Sequence, residues 1–168
     1  GNGLGDSTSM SVIDVTANSV TYYTPEKTSF TLIKNPDLPG NATFPMSAND
    51  NTSEQVPINF MIADSEVDFQ LYSEVINWAN QSCNNYNIKK TGFSGGDNRS
   101  SDPSTDPYQP VTEIYWSDAV VWCNALTEYI NSSNGSEPDM DCVFYADENY
   151  TIPIRNSAQY SIATPGSA

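Results

Sequence analysis

The chain has 168 residues and a formal net charge of −15, with six Lys and Arg against 21 Asp and Glu and no His. Such a charge repels nucleic acid and anionic lipid, because binding phosphates requires clustered Lys and Arg. No apolar run approaches the roughly 20 residues that span a bilayer. The hydrophobic fraction is only 38%, but ten Tyr, six Phe and three Trp predict a folded domain with long polar loops.

The N-terminal part of the chain predicts short strands separated by turns. Residues 1–10 are polar and rich in Gly and Ser, which predicts a mobile terminus. Apolar and β-branched residues then recur with turn signals between them. The predicted strands are Val12–Val15, Val20–Tyr23, Phe30–Ile33 and Val56–Ala63. Residues 35–55 are rich in Pro, Gly, Asn and Asp and predict a loop before the last strand.

Two later segments have the apolar periodicity of amphipathic helices. The first runs from about Phe69 to Asn80, and Asp68 is placed to cap its first free amides. The second runs from about Asp118 to Ile130, with Ser117 as its predicted cap. The predicted buried positions are Leu71, Tyr72, Val75, Ile76 and Ala79 in the first helix and Ala119, Val120, Cys123, Leu126 and Ile130 in the second.

The remaining segments are loops and short strands. Polar, Gly- and Pro-containing loops are predicted at residues 84–109 and 131–141. A short strand is predicted at Cys142–Tyr145 and another at Thr151–Ile154. Two helices among several short strands, with no internal repeat, predict an α+β fold rather than an alternating α/β fold.

The composition also bears on the compartment. Asn, Ser and Thr are abundant and Lys is scarce, which is typical of secreted and surface proteins. Seven N-x-[ST] sequons occur where roughly four would arise by chance, and all lie in predicted loops or element ends. We therefore expect an extracellular, cell-surface or periplasmic protein, glycosylated at some of these asparagines. The sites are Asn41, Asn51, Asn80, Asn98, Asn131, Asn134 and Asn149.

The three cysteines cannot all pair within one chain. Cys123 lies on the predicted apolar face of the second helix and is interpreted as a packed core residue. Cys83 and Cys142 each follow a helix in polar surroundings, so a disulfide, if one forms, is predicted between these two. A metal site built from the three thiols is disfavoured, because no C-x-x-C spacing occurs.

Carboxylates offer a second way to bind a metal ion. Two groups of hard oxygen ligands of the kind that calcium prefers are Asp97, Asp102 and Asp106, and Asp139, Asp141 and Asp147. Neither follows the D-x-[DN]-x-[DN]-G calcium loop, so solvated acidic loops are the favoured interpretation and calcium the alternative. Without His, no Ser-His-Asp or Cys-His arrangement can form.

Several segments, taken together, resemble formylglycine-generating enzyme (sulfatase-modifying factor) domains. Phe60–Ala79 is similar to the strand-to-helix segment of that family, although Asp68 stands where the family usually has Thr. Pro110–Glu128 resembles a second family segment, with Trp116-Ser-Asp-Ala and Trp122-Cys-Asn-Ala-Leu as its most specific parts. Further similarities in matching order are Thr43–Ser47, Val143–Tyr145 and Pro153–Ser157.

The resemblance covers about residues 28–157 and implies a C-type-lectin-like α+β fold with two main helices, short strands and long loops. It implies that residues 1–27 are an N-terminal extension with short strands and that residues 28–168 are the N-terminal portion of the domain. It further implies that Trp78, Trp116 and Trp122 are core aromatics. Asp118 is interpreted as a cap or a complement to the helix dipole.

The activity of the family is a copper-dependent oxidation of a substrate cysteine to formylglycine. The copper-holding cysteines lie in the second half of the family's domain, beyond a segment that follows the part represented here. Cys123 matches a structural cysteine of the family, so no catalytic residue or cofactor is assigned to this chain. Whether the protein is an enzyme therefore stays open.

Three functions remain at this point. The favoured one is a non-catalytic secreted or cell-surface module that acts in binding or assembly, with a protein or glycan ligand. A second polypeptide or a C-terminal segment is expected to complete its sheet. The alternatives are a formylglycine-generating oxidase whose catalytic half is absent from this chain, and a structural subunit of a surface assembly whose strand edges pair with neighbours.

Overall fold

A computed structural model describes residues 13–16, 19–26, 28–34, 42–45, 53–56, 61–96, 99–102, 104–132 and 139–160. These residues form a mixed α+β structure with two main helices and short antiparallel strands, which confirms the predicted fold class. The chain divides into two compact units, one of Gly1–Tyr22 and Phe30–Asp64 and one of Tyr23–Ser29 and Ser65–Ala168. This division does not test the expected family boundary after residue 27, which stays a prediction.

The first unit is built on short strands. A four-stranded sheet has the order β1 (Ile13–Val15), β2 (Ser19–Tyr23), β3 (Ser29–Lys34) and β6 (Met61–Ala63). β1 pairs antiparallel with β2, and β3 pairs antiparallel with β6 with Ile33 opposite Ile62. Stacking of the Tyr22 and Phe30 rings, 5.3 Å apart, and a 2.9 Å Thr21–Thr31 hydroxyl contact join β2 to β3. Cross-strand pairs of this kind are the main stabilising unit of a small sheet.

The segment predicted as a loop over residues 35–55 contains two strands, so that prediction is wrong in part. β4 (Ala42–Pro45) pairs antiparallel with β5 (Ser53–Val56), with Ala42 opposite Val56 and Pro45 opposite Ser53. The Pro and Asn residues of this segment predicted a loop, but Pro45 is the last residue of β4 in a two-stranded pair, where a Pro is tolerated. Residues 57–60, within the predicted strand Val56–Ala63, lie outside the described residues, as does the predicted mobile terminus.

The second unit is organised by two helices, α1 (Phe69–Ala79) and α2 (Trp116–Asn131). α1 begins where the sequence predicts, because the Asp68 carboxylate accepts a 2.7 Å hydrogen bond from the Leu71 amide. All five predicted core positions of α1 are buried. The other elements among the described residues of this unit are the short antiparallel pair β7 (Phe93–Ser94) and β8 (Val111–Thr112), and α3 (Ser157–Tyr160).

The predictions for α2 need two corrections. The helix begins at Trp116, and its N-cap is Tyr115 without a side-chain hydrogen bond, so Ser117 is not the cap. The buried face is only partly the predicted one: Val120 and Ile130 are buried, whereas Cys123 is exposed and Ala119 and Leu126 are half-buried. Large aromatic rings bury more area than Cys or Ala, and they decide which face packs. The buried residues of α2 are Asp118, Val120, Val121, Trp122, Asn124, Ala125, Tyr129 and Ile130.

Aromatic stacking and a buried hydrogen bond join the two helices. The Tyr72 and Trp122 rings are stacked with centroids 5.4 Å apart, and Trp122 Nε1 donates to the Tyr72 carbonyl at 3.2 Å. Nearby, the Tyr129 hydroxyl donates to Glu74 Oε1 at 2.7 Å, with both residues buried. Desolvation and the adjacent Glu74 carboxylate raise the pKa of Tyr129. The hydroxyl therefore stays protonated and satisfies a buried acceptor.

Replacing Tyr129 by Phe removes the donor and leaves the buried Glu74 carboxylate unsatisfied. We expect Tyr129→Phe to lower the free energy of unfolding by about 1–3 kcal/mol, measured by urea denaturation followed by circular dichroism. Tyr108→Phe, at an exposed tyrosine, is the matched control and should change it by less than about 0.5 kcal/mol. Equal effects of the two changes would show that the Glu74–Tyr129 hydrogen bond adds no stability.

Candidate binding cleft

The centre of α2 carries an asparagine that binds two other segments of the second unit. The Asn124 side chain is 0% exposed. Its Nδ2 donates to the carbonyls of Phe144 and Ile154 at 2.7 and 3.0 Å. Its Oδ1 accepts from the amides of Val143 and Phe144 at 3.3 and 3.2 Å. A side-chain amide has two donors and an acceptor with two lone pairs, so all its hydrogen-bonding capacity is used.

The two segments held by Asn124 are those predicted as the strands Cys142–Tyr145 and Thr151–Ile154. They form a single antiparallel bridge between Tyr145 and Pro153 rather than two regular strands. Backbone hydrogen bonds from Ile154 to Phe144 and from Ala146 to Ile152 flank the bridge at 3.0 and 2.8 Å. Asn124 thus supplies the polar contacts that a neighbouring strand would otherwise supply.

Two more side chains hold the loops around this bridge. Asn131, at the end of α2, donates to the Met140 carbonyl at 2.8 Å and accepts from the Met140 amide at 2.9 Å. The Asp147 carboxylate accepts from the amides of Thr151 and Ile152 and from the Thr151 hydroxyl at 2.7–2.9 Å. The hydrogen bond from the Thr151 hydroxyl, together with those from the backbone amides, favours the ionised carboxylate and lowers the pKa of Asp147. Each loop is therefore ordered by a side chain that binds backbone groups.

Between these loops and the end of α2 lies an open cleft of about 490 Å³. Its volume falls within the range of small-ligand sites. We call it the acidic cleft because three carboxylate residues, Glu128, Asp139 and Asp141, lie in its wall. The full lining is Glu128, Asn131, Ser132, Asp139, Met140, Asp141, Cys142, Tyr145, Tyr150, Thr151 and Pro153.

The carboxylates of the acidic cleft are not equivalent. Glu128 forms an ion pair with Arg155, whose guanidinium also lies over the Tyr86 ring at 5.4 Å. Burial, followed by the negative charge of the nearby Glu128 carboxylate, raises the pKa of Tyr86. The Tyr86 hydroxyl is buried and has no hydrogen bond of good geometry to a described residue. Asp139 and Asp141 are exposed. They supply most of the negative charge that a ligand would meet.

Two tyrosines form an aromatic wall of the acidic cleft. The Tyr145 and Tyr150 rings are perpendicular, with centroids 5.7 Å apart, a favoured edge-to-face arrangement. Tyr150 is 73% exposed and has a backbone φ of 56°. A bulky residue in this left-handed region is strained, and such strain persists where the surrounding structure imposes it, often at a binding site.

A second aromatic surface lies at the opposite end of α2. The buried Asp118 carboxylate accepts from the amides of Lys89 and Lys90 at 2.9 and 3.2 Å. It holds that segment beside the start of α2, where Lys90 Nζ lies 5.1 Å from the centre of the Tyr115 ring. Tyr115 is exposed, and Trp116 is 72% exposed. We call Lys89, Lys90, Tyr115 and Trp116 the aromatic–lysine face.

This geometry revises the roles expected for Asp118 and the tryptophans. Asp118 lies in the first turn of α2, where a negative charge complements the helix dipole as expected, but its carboxylate binds backbone amides of a distant segment rather than capping the helix. Trp122 is buried as predicted, and Trp78 is half-buried against the Tyr129 ring at 5.4 Å. The core prediction is wrong for Trp116, because α2 begins at this residue and the packed face lies further along the helix.

The three cysteines are free thiols in the structure. Cys83 is exposed and Cys142 lies in the wall of the acidic cleft. The Cys83–Cys142 disulfide stays a prediction. Cys123 is exposed rather than packed in the core, although neighbouring atoms desolvate its thiol enough to raise its pKa. Desolvation, followed by the charge of Glu128, raises the pKa of Cys142 to about 11.

The predicted calcium ligands are not brought together among the described residues. Within those parts of the chain, no three His, Cys, Asp or Glu side chains converge in a way that would hold a metal ion. Asp139 and Asp141 are exposed, and Asp147 binds its own loop. In the other predicted group, Asp102 accepts from the Ser104 amide and hydroxyl, whereas Asp97 lies outside the described residues.

The sequons differ in their surroundings. Asn80 and Asn149 are exposed, whereas both side-chain polar atoms of Asn131 are bound to Met140. Asn41, Asn51, Asn98 and Asn134 lie outside the described residues.

Sequence reasoning missed the role of Asn124, although a signal was present. Asn124 stands among the apolar residues Val120, Val121 and Ala125, and a polar residue in a buried stripe must find hydrogen-bond partners. Glu74 is a similar case, since it lies inside the buried stripe of α1. Neither partner, however, could be identified from spacing alone.

Comparison of the chain with models of known protein families, with curated proteins and with solved structures finds no match. The resemblance described above therefore depends on the sequence motifs alone.

The Asn124 contacts can be tested by an isosteric change. Asn124→Asp replaces the Nδ2 donor with an oxygen that faces the carbonyls of Phe144 and Ile154, so the two hydrogen bonds become repulsive contacts. We expect the free energy of unfolding to fall by about 2–5 kcal/mol, measured by urea denaturation. Asn77→Asp, at an exposed position of α1, adds the same charge as a control. A loss no larger than that of the control would contradict the assigned role of Asn124.

The raised pKa of Cys142 predicts a slow thiol. Because a pKa of about 11 leaves little thiolate near pH 8, we expect iodoacetamide to modify Cys142 at least about tenfold more slowly than cysteine in an unfolded peptide. Glu128→Gln removes the adjacent negative charge and should speed the reaction, whereas Glu148→Gln should not. Rates from peptide mass spectrometry that match those of the peptide would contradict this assignment.

Proposed function

We propose that this chain is a non-catalytic, exported binding or assembly module with a formylglycine-generating-enzyme-like, C-type-lectin-like fold. The observation that carries the proposal is the state of the nucleophilic groups in the acidic cleft. The Ser132 hydroxyl donates to the Tyr129 carbonyl at 2.6 Å, and the Thr151 hydroxyl donates to Asp147 at 2.7 Å. The Cys142 thiol has a pKa of about 11. The cleft thus offers shape, charge and aromatic surface, while its hydroxyls and thiol are engaged or protonated.

The placement of the family-like motifs supports a scaffold role. Trp122 and Asn124 belong to the most specific motif, and both are buried and bound to other segments. Cys123, between them, is exposed on α2 and does not line the acidic cleft. In this proposal the motif stabilises the fold, and ligand contacts come from the loops around the cleft, as is common for binding proteins.

The ligand class that suits such a cleft is a protein or a glycan. Exposed tyrosines bind sugars or cationic groups through their faces, and carboxylates accept from hydroxyl or ammonium donors. A second polypeptide is proposed to complete the sheet of the first unit. Among the described residues, no helix is long and apolar enough to cross a membrane.

A structural subunit of a surface assembly is the second candidate, favoured by one feature of the first unit. Ile33 and Ile62 lie opposite each other in the β3–β6 pair and are exposed, Ile62 at 61%. β6 ends the described strand order, so its free edge and the adjacent apolar pair would suit strand addition by a neighbour.

A formylglycine-generating oxidase is the remaining alternative, and it has a direct test. The intact gene product, supplied with copper and a sulfatase-type peptide, would convert the peptide cysteine to formylglycine, which mass spectrometry detects. Conversion would overturn the non-catalytic proposal. Recovery of the unchanged peptide under conditions where a known oxidase converts it is the expected result.

The surroundings of the sequons predict a pattern of glycosylation. On expression through a eukaryotic secretory pathway, we expect glycans at Asn80 and Asn149, which are exposed. Asn131 should stay unmodified, because its amide nitrogen and oxygen are both bound to Met140. Enzymatic deglycosylation converts a glycosylated Asn to Asp, so peptide mass spectrometry reads each site with Asn131 as an internal control. Unmodified Asn80 and Asn149 would contradict the expectation that these two exposed sequons accept glycans.

A further inference from the structure

The exposed aromatic–lysine face and the acidic cleft have opposite charges and lie at opposite ends of α2. The face contains Lys89 and Lys90, and the cleft contains Asp139 and Asp141, all four of them exposed. α2 has 16 residues, so its two ends are separated by about 24 Å. One molecule cannot bring its own face into its own cleft across this distance.

We propose that a second copy of this chain is the occupant of the acidic cleft, with its aromatic–lysine face docked there in a head-to-tail arrangement. The proposal deepens the assembly role given above and rests on it. It assigns Lys89, Lys90, Tyr115 and Trp116 as the docking surface on one copy. Asp139, Asp141, Tyr145 and Tyr150 receive them on the next.

Charge complementarity is the first reason to choose a copy of this chain. The chain has only six basic residues and a net charge of −15, so two copies repel each other in most orientations. Of the basic residues in the described part of the second unit, Arg99 pairs with Glu113 and Arg155 pairs with Glu128. Lys89 and Lys90 carry the positive charge left for a partner, and pairing them with the acidic cleft opposes the repulsion.

The chemistry of the two surfaces also matches. An ammonium group in the acidic cleft would meet the carboxylates of Asp139 and Asp141 and the faces of two tyrosine rings, which favour cations. Within one copy, the Lys90 ammonium already lies over the Tyr115 ring. This cation–π contact is of the same kind as the one proposed with the tyrosines of the acidic cleft. Trp116 adds exposed apolar area of the type that is enriched at interfaces.

The positions of the two surfaces determine the form of the assembly. Because the surfaces differ and occupy opposite ends of a helix, each docked copy leaves one face and one cleft free. A heterologous contact of this kind produces a ring or an open chain of molecules rather than a closed dimer. The contact is small, so we expect a dissociation constant on the order of 10–100 µM.

The dependence on salt follows from the two opposing charge effects. At low salt the long-range repulsion between two acidic chains opposes association, and at high salt the Lys–Asp pairs are screened. Association should therefore be strongest near about 0.1–0.15 M salt and weaker near both about 0.01 M and about 1 M. Association that rises steadily with salt would instead indicate an apolar contact and would overturn the assignment.

Charge variants of the two surfaces provide the decisive test by sedimentation velocity. Lys89→Ser/Lys90→Ser removes the charge of the face but keeps the cleft, and Asp139→Lys/Asp141→Lys reverses the charge of the cleft but keeps the face. Each variant alone should sediment as a monomer, and an equimolar mixture should form dimers that grow no further. Glu66→Lys/Glu148→Lys makes the same change in net charge as the cleft variant, at exposed positions outside both surfaces. This control should associate at least as strongly as the wild type.

Circular dichroism and urea denaturation show whether each variant is folded. Dimer formation in the equimolar mixture shows in addition that the unchanged surface of each variant is intact, even if one variant is less stable. A wild-type chain that stays monomeric at all three salt concentrations would overturn the inference. So would variants that associate as strongly as the wild type. Either result leaves the proposed non-catalytic module intact, because the oxidase assay tests that proposal independently.

Discussion

The hydrogen bonds of Asn124 hold two segments of the second unit, residues 142–145 and 151–154, against α2. Four backbone groups of two separate segments converge on one buried side chain, and the aromatic packing of α1 on α2 places that side chain where they meet. Burial makes the arrangement strict, since any of these groups left without a partner would cost free energy comparable to a lost hydrogen bond. The acidic cleft exists because the segments held by Asn124 carry its aromatic wall.

Other side chains of this unit also form hydrogen bonds with backbone groups. Asp118 binds two amides next to the start of α2, Asn131 binds both polar groups of Met140, and Asp147 closes its own loop. A chain with short strands has few ladder hydrogen bonds, so side chains must satisfy much of the buried backbone. The result is ordered loops that present exposed groups at both ends of α2.

The sequence predicted some elements well because their causes are local. α1 has both a capping carboxylate and an apolar stripe within its own residues, so its start and buried face were predicted correctly. For α2 the aliphatic spacing predicted Val120 and Ile130 correctly but not the rest of the buried face. The Trp122 ring stacks on Tyr72 of α1, a contact that spacing along the chain does not reveal. The β4–β5 pair was missed for the same reason, because each strand is recognisable only beside the other.

By itself, the sequence determined the strong negative charge, the absence of imidazole chemistry, the α+β fold class, and the start and buried face of α1. Each of these follows from residue identity or from contacts within one helical turn. Only the tertiary structure decided that Asn124 and Asp118 bind distant backbone, that Trp116 is exposed, and that Cys142 faces Glu128. The physical reason is that a buried polar group's partner and a thiol's pKa depend on atoms brought close by folding, not by spacing along the chain.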